Sequence, residues 1–191
     1  MMHYWKTVDG WFNKSVAGGF DRMIASLPTD RPSTMVQVGT WMGRATAYVG
    51  VEIFNSGKPA TFVAVDHFKG SEEMQFHARG ARVAESEARF RENTAPLVDA
   101  LGHRFRLIVS DSAAAADNFE DGSLDAVWID AAHGYEFVVR DLEAWTPKVK
   151  RRGLIGGDDF DRRCPGVTQA VLERFGPAAA VPGEVWWMVR L

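Results

Sequence analysis

Ser33-Thr34-Met35-Val36-Gln37-Val38-Gly39-Thr40-Trp41-Met42-Gly43 is the stretch on which the fold turns. A short run of β-branched and apolar residues stops at one glycine, and a second glycine follows four positions later. An amphipathic segment from about residue 42 to 54 comes next and ends at Asn55-Ser56-Gly57, a helix-stopping combination. The same alternation recurs downstream. Thr61 to Asp66 predicts a second strand, apolar until its last residue, Phe105 to Val109 a third and Leu124 to Asp130 a fourth. Gly153 to Gly157 is a weaker fifth, ending at Asp158-Asp159. Apolar residues at 135, 137, 138, 142 and 145 fit one face of a helix, and the alanine run 113–116 suits another. Val185 to Arg190 reads as a late strand in a terminal hairpin turned at Pro182-Gly183. Short apolar strands alternating with helices predict an α/β fold, a doubly wound and mostly parallel sheet covered on both faces. About seven strands are expected, with a C-terminal antiparallel hairpin. Residues 70–96, charge-rich and without strand character, read as helix or as a lid beside the site. Residues 1–30 read as helical, with Trp5, Trp11 and Phe12 packing at a place the sequence does not identify.

The 191 residues suit one domain spanning 1–191. A hydrophobic share of 46% with 25% charged residues excludes intrinsic disorder. Lysine plus arginine is 22 against 25 acids, and the resulting charge of −3 argues against nucleic acid as a partner. The single cysteine, Cys164, excludes an internal disulfide and a cysteine zinc site, and suits a reducing compartment. No apolar run approaches the roughly 18 residues of a membrane span, and the start carries no signal-peptide core. A cytoplasmic protein without a membrane partner is expected, and homo-oligomers stay open.

The glycine loop lets the backbone turn tightly and lets a ligand approach a helix N-terminus. It lacks the third glycine of G-x-G-x-x-G and the Lys-Ser or Lys-Thr of a phosphate loop, so it suits an adenosine-type ligand without a pyrophosphate. An ordinary strand-to-helix turn is the competing reading. Asp66, at the end of the second strand, is placed to accept from both hydroxyls of a ribose, or else to cap a turn. Asp111 and Ser112 can reach an adenine edge, or cap the alanine-rich helix, or both. Asp130 and the pair Asp158-Asp159 end the fourth and fifth strands, which as sheet neighbours lie ~4.8 Å apart. Acids so gathered repel, so some stay protonated or a cation binds. Oxygen ligands select magnesium, calcium or manganese over zinc. His133, three residues past Asp130, can act as a base there. The competing reading is a solvated acidic loop with His133 capping the next helix.

Val36 to Thr46, Val63 to Asp66, Ser110 to Ser112 and Asp125 to Tyr135 together resemble the class I S-adenosylmethionine-dependent methyltransferases. Ile129 to His133, followed by Asp141-Leu142 and Trp145 to Val149, is similar to the small-molecule O-methyltransferase branch, including metal-dependent enzymes that methylate sugar hydroxyls. The likeness covers about residues 33–175. It implies a Rossmann-like sheet, S-adenosylmethionine as the methyl donor, and a small-molecule hydroxyl acceptor, a sugar or catechol-like diol. Gly39 and Gly43 match the loop under the methionine part of the cofactor, Asp66 the ribose acid, and Asp111 with Ser112 the adenine side. Gln37, Thr40, His67 and Asp130 complete the implied cofactor contacts. Asp130, Asp158 and Asp159 match the acids that hold Mg2+ (or Mn2+), with His133 as base and Asp130 as the second catalytic group. Two departures stand out. The family usually has glutamate where this chain has Gln37, which removes a charge contact to the cofactor ammonium. Many relatives have histidine at the position of Asp158. A metal-dependent hydrolase or hydroxylase on the same scaffold, or a catalytically inactive cofactor-binding protein, are the alternatives. A nicotinamide-dependent oxidoreductase ranks below them for want of the third glycine.

Overall fold

Strands β1 (Ser33–Val38), β2 (Ala60–Asp66), β3 (Phe105–Val109), β4 (Leu124–Ile129) and β5 (Val149–Gly157) pair in parallel in the computed structural model, which describes residues 1–71, 80–179 and 185–190. A sixth strand, β6 (Trp186–Val189), lies antiparallel against β5, and the order across the sheet is β3-β2-β1-β4-β5-β6. Each parallel return passes through helix: α1 (Lys14–Ser26) precedes β1, and α2 (Arg44–Ser56), α3 (Ser86–Leu101), α4 (Ser112–Ala115), α5 (Tyr135–Trp145) and α6 (Pro165–Phe175) follow in turn. This is the doubly wound, Rossmann-like sheet that the alternation predicts.

Strand alternation sorts the side chains between two cores. Met35 and Trp128 join Phe20, Met23, Ile53, Phe90 and Leu97 on the face covered by α1, α2 and α3. Val36, Val38, Val127 and Ile129 join Leu142, Trp145, Ile155 and Val171 on the face of α5 and α6. Helix α1 starts at Asn13, whose side chain accepts from the Ser15 and Val16 amides, and it docks through Gly19 against the ring of Trp128.

Three expectations need correction. The described residues hold six strands rather than about seven. Among the described residues the antiparallel strand pairs with β5 across α6 rather than with a hairpin partner, and Gly156 and Gly157 leave room for Trp186. The expected turn at Pro182-Gly183 lies outside the described residues. Finally, β5 begins at Val149 rather than Gly153, because Val149 pairs with Leu124 before a register shift accommodates the polar Lys150-Arg151-Arg152. Within 70–96, a 3-10 turn over Gly80–Glu85 leads into α3, while residues 72–79, part of the expected lid, lie outside the described residues. No helix among the described residues is long and apolar enough to cross a membrane.

The registers position the site. Val38 pairs with Val65 on one side and Ile129 on the other, and Ile129 pairs with Gly157. The next residues, Gly39, Asp66, Asp130 and Asp158, therefore leave the sheet side by side at its carboxyl edge, where ligands of such sheets bind.

A methyl group at Gly19 would stand 2.5 Å from the fully buried Trp128 ring, itself packed on Phe20. Gly19→Ala is expected to lower stability by about 1–3 kcal/mol, the usual range for overpacking. Equilibrium urea unfolding checks this, and an unchanged midpoint would mean that α1 does not dock through Gly19.

Candidate active site

The loop after β1 is built for close backbone approach. Gly39 and Gly43 have φ of +84° and +90°, and a Cβ on Gly39 would lie 1.8 Å from the Asp130 carbonyl oxygen. Asp66 holds this loop: its Oδ2 accepts from the Thr40 amide at 2.8 Å, the Trp41 amide at 3.0 Å and the Thr40 hydroxyl at 3.3 Å. Its Oδ1 accepts from the Phe68 amide at 2.7 Å. A carboxylate offers about four acceptor sites, so most of the capacity of Asp66 serves to fix the loop. His67 accepts at Nδ1 from the Lys69 amide at 2.8 Å, so the neutral ring carries its proton on Nε2 as a donor.

Buried Gln37 spans the loop and helix α2. Its Nε2 donates to the Gly39 carbonyl at 3.2 Å, and its Oε1 accepts from the Thr46 hydroxyl at 2.9 Å. A glutamate could not donate to Gly39, so the amide has a structural use where the family usually carries a charge. Asp111 caps α4 through the Ala114 amide and pairs with Arg140 at 2.8 Å. Burial pushes the Asp111 carboxyl up, but the Ala114 amide and Arg140 outweigh it and hold the group below its ordinary value. Ser112 donates to Asp141 at 2.5 Å, and burial raises the Asp141 carboxyl to about 6 despite that bond.

At the far end of the same edge the acids converge. One carboxylate oxygen from each of Asp130, Asp158 and Asp159 lies within 4.8 Å of the others. Asp159 adopts φ +61°, the left-handed region, and its Oδ2 sits 3.0 Å from His133 Nε2. Burial, then Asp158 and Asp159, drives the Asp130 carboxyl well above its ordinary range, with His133 pulling the other way. For Asp159 burial acts upward too, but the hydrogen bond and charge of His133 prevail and lower it. Such a set, all oxygens and mutually repelling, fits a hard divalent cation.

The loop and the acids open into one cavity of about 720 Å³, within the ~300–1,000 Å³ typical of small-molecule sites. Every candidate residue lines it except Gly43, whose Cβ position faces Phe90 and Thr94 of α3 at 3.1 and 3.3 Å. Gly43 thus serves the loop turn and the packing of α3. Trp11, Trp41, Arg140, Asp141 and Cys164 also line the cavity. Trp41 lay within the glycine loop itself and Asp141 one helical turn after Phe137, but nothing local marked Trp11 or Cys164 as near them.

Fold and site together define a cofactor-binding α/β enzyme. The sequence profile of a family described as a methyltransferase domain matches residues 36–160, and the chain belongs to that methyltransferase family. No curated protein sequence matches it. Solved structures share the fold at low identity. The O-methyltransferase NovP superposes with a TM-score of 0.68 at 19% identity, over 91% of this chain and 78% of NovP. CalS11, a TDP-rhamnose 3'-O-methyltransferase, gives a TM-score of 0.58 at 17% identity, over 91% of this chain and 76% of its own. A Streptococcus mutans protein solved in complex with S-adenosylhomocysteine (SAH) gives 0.62 at 10% identity, over 95% of this chain and all of its own.

Asp141 supplies a test of the electrostatics. Its folded value of about 6 lies above the unfolded one near 3.8, so the group favours folding only while protonated. Its contribution is present below pH 3.8 and is lost as pH rises through about 6. Asp141→Asn keeps an acceptor for Ser112 and removes this loss. Its melting temperature relative to the parent is expected to climb between pH 4 and 7, by up to the equivalent of ~3 kcal/mol. Parallel pH profiles of the two proteins would contradict the assignment.

Proposed function

We propose that the protein transfers a methyl group from S-adenosylmethionine to a hydroxyl of a small molecule, a sugar or catechol-like diol, assisted by Mg2+ or Mn2+. The observation that carries this reading is the meeting, in one cavity, of the glycine loop with three carboxylates and His133. The enzymes NovP and CalS11, which share the fold and are O-methyltransferases, support it. So does the S-adenosylhomocysteine bound by the S. mutans protein.

The residues fit the cofactor. A side chain at Gly39 would fill the cradle under its methionine end, while Asp66 and His67 would hold the ribose and Asp111 with Ser112 the adenine. Asp66 already accepts four protein hydrogen bonds, so little of its acceptor capacity is left for ribose hydroxyls, and the Nε2–H of His67 would add a donor to a ribose oxygen. The bound cofactor supplies an electrophilic methyl on a sulfonium. Asp130, Asp158 and Asp159 would hold the cation, whose Lewis acidity makes an acceptor hydroxyl easier to deprotonate.

His133 is the base. With Nε2–H donated to Asp159, the lone pair that receives a proton is on Nδ1, and Asp159 stabilises the imidazolium that forms. When bound, the cofactor would supply the methyl group, and His133 would take the proton that the acceptor hydroxyl loses. Asp159 has two oxygens, so one can orient His133 while the other faces the cation. Holding donor and acceptor together in one cavity would supply the proximity contribution.

Turnover on a panel of sugar-nucleotide and catechol acceptors is expected to stop in excess EDTA and return with Mg2+ or Mn2+. Asp158→Asn is expected to raise the cation concentration needed while leaving calorimetric cofactor affinity near that of the parent. Undiminished turnover after exhaustive chelation would remove the cation from the mechanism.

His133→Ala is expected to lower kcat by ~10²–10⁴-fold with cofactor affinity retained. A folded variant with parental turnover would refute the base.

A further inference from the structure

We propose that His133, Asp159 and Cys164 form a second cation site, overlapping the carboxylate cluster and selective for zinc. Candidate donor atoms of these three side chains lie within 4.8 Å of one another. His133 Nε2 is 3.0 Å from Asp159 Oδ2, and the Cys164 sulfur lies within 4.8 Å of both side chains' donor atoms. A tetrahedral zinc holds nitrogen and oxygen at about 2.0–2.2 Å and sulfur at about 2.3 Å, which sets its ligand atoms roughly 3.3–3.6 Å apart. On binding, the donor atoms, now within 4.8 Å of one another, would close to those separations.

The backbone is pinned where the site requires it. Cys164 precedes Pro165 at the start of α6, and the Gly166 Cβ position lies only 2.6 Å from both the His133 carbonyl oxygen and the Tyr135 nitrogen. The first turn of α6 is thus pressed against the loop that carries His133. The link from Asp159 to Cys164 is closed by the Asp161 amide on the Asp159 carbonyl at 2.9 Å and the Cys164 amide on Asp161 Oδ1 at 3.3 Å. All three side chains line the cavity, so an ion can enter.

The donor chemistry selects the ion. Magnesium and manganese favour oxygen, whereas nitrogen with a thiolate suits zinc. On binding, the S–H bond breaks, the sulfur–zinc bond forms and the proton leaves to solvent. The thiolate and carboxylate then neutralise the 2+ charge, and the neutral imidazole binds through Nε2 with its proton shifted to Nδ1. Asp159 belongs to both donor sets, so zinc competes with the cation of the oxygen cluster. It also engages the His133 ring. Resting on the proposed function, zinc therefore inhibits methyl transfer.

Cobalt is the probe, because a thiolate ligand gives Co2+ a near-ultraviolet charge-transfer band that an all-oxygen set does not. Titrating the full chain with Co2+ is expected to produce that band, and zinc to bleach it at far lower concentration than Mg2+, which shares only Asp159 with the site. Cys164→Ser is expected to lack the band and to bind zinc at least about tenfold more weakly by calorimetry, a loss no smaller than that of an outer-shell partner. Since Cys164 is the sole cysteine, thiol alkylation of the parent reports the same site without any variant, and zinc but not magnesium is expected to slow it. Absence of the band, or equal zinc affinity in Cys164→Ser, overturns the proposal. These readouts need no methyl donor or acceptor. A band and zinc protection without inhibition of turnover would uphold the site and refute His133 as the base.

Discussion

A Cβ on Gly39 would stand 1.8 Å from the carbonyl oxygen of Asp130, and this contact between the turns after β1 and β4 is the constraint on which the site depends. Gly39 donates to the Val65 carbonyl and Asp130 to the Val38 carbonyl, so the sheet ladder continues one residue beyond its strands before the chains part. The loop must then turn through positive φ at Gly39, Trp41 and Gly43. Asp66 and Gln37 hold it in that shape from opposite sides, one through amides and the other through a carbonyl. Neither needs to touch a ligand to be indispensable to the cavity.

The same compactness makes the acids costly. Asp130 is driven toward its neutral form by burial and by the charges of Asp158, Asp159 and Asp66, with His133 pulling the other way. Desolvation of this kind disfavours charge unless a counter-ion or a dense set of donors is present. Asp159 escapes that fate through His133, which shows how one imidazole can decide which acid of a cluster stays ionised. The left-handed conformation of Asp159 turns its carboxylate toward both His133 and the Asp130 side, an arrangement of a sort that sites tend to store rather than relax.

Much of this was legible in the chain itself, for reasons that differ residue by residue. Strands β1 to β4 are short apolar runs with turn residues at their ends, so local pattern suffices. The start of β5 was not legible, because Lys150-Arg151-Arg152 interrupts the apolar run and only pairing across to β4 makes it a strand. The partner of β6 was hidden for a stronger reason. A strand carries no local mark of which edge it will join, and the two glycines that admit Trp186 lie a whole helix upstream. At the site, residue types announced the acids and the glycine loop. They did not announce that Asp66 would be occupied by backbone amides, that Gly43 would face α3, or that Gln37 would bond in both directions. Those facts depend on what stands opposite, which spacing does not encode. Cys164 was legible only as a sign of a reducing compartment, since its place beside His133 follows from how α6 docks.

The span shared with the family runs from residue 36 to 160, and it contains the glycine loop, Asp66, Asp111 and the whole carboxylate cluster. The cavity does not end there. Gly10, Trp11 and Asn13 reach it from the N-terminal side, tied in by Arg44, which donates to the Gly10 carbonyl at 2.8 Å, and by the ring contact of Trp11 with Trp41. Arg163 and Cys164 reach it from beyond β5. The cavity thus has two kinds of wall: one laid down by the registers of the parallel strands, and one supplied by flanking segments that the sheet does not dictate. Chemistry that must be common to a fold belongs on the first wall, where a shift of one residue would misplace every carboxylate. Discrimination among acceptors and ions belongs on the second, where a tryptophan or a cysteine can change without disturbing a strand pair.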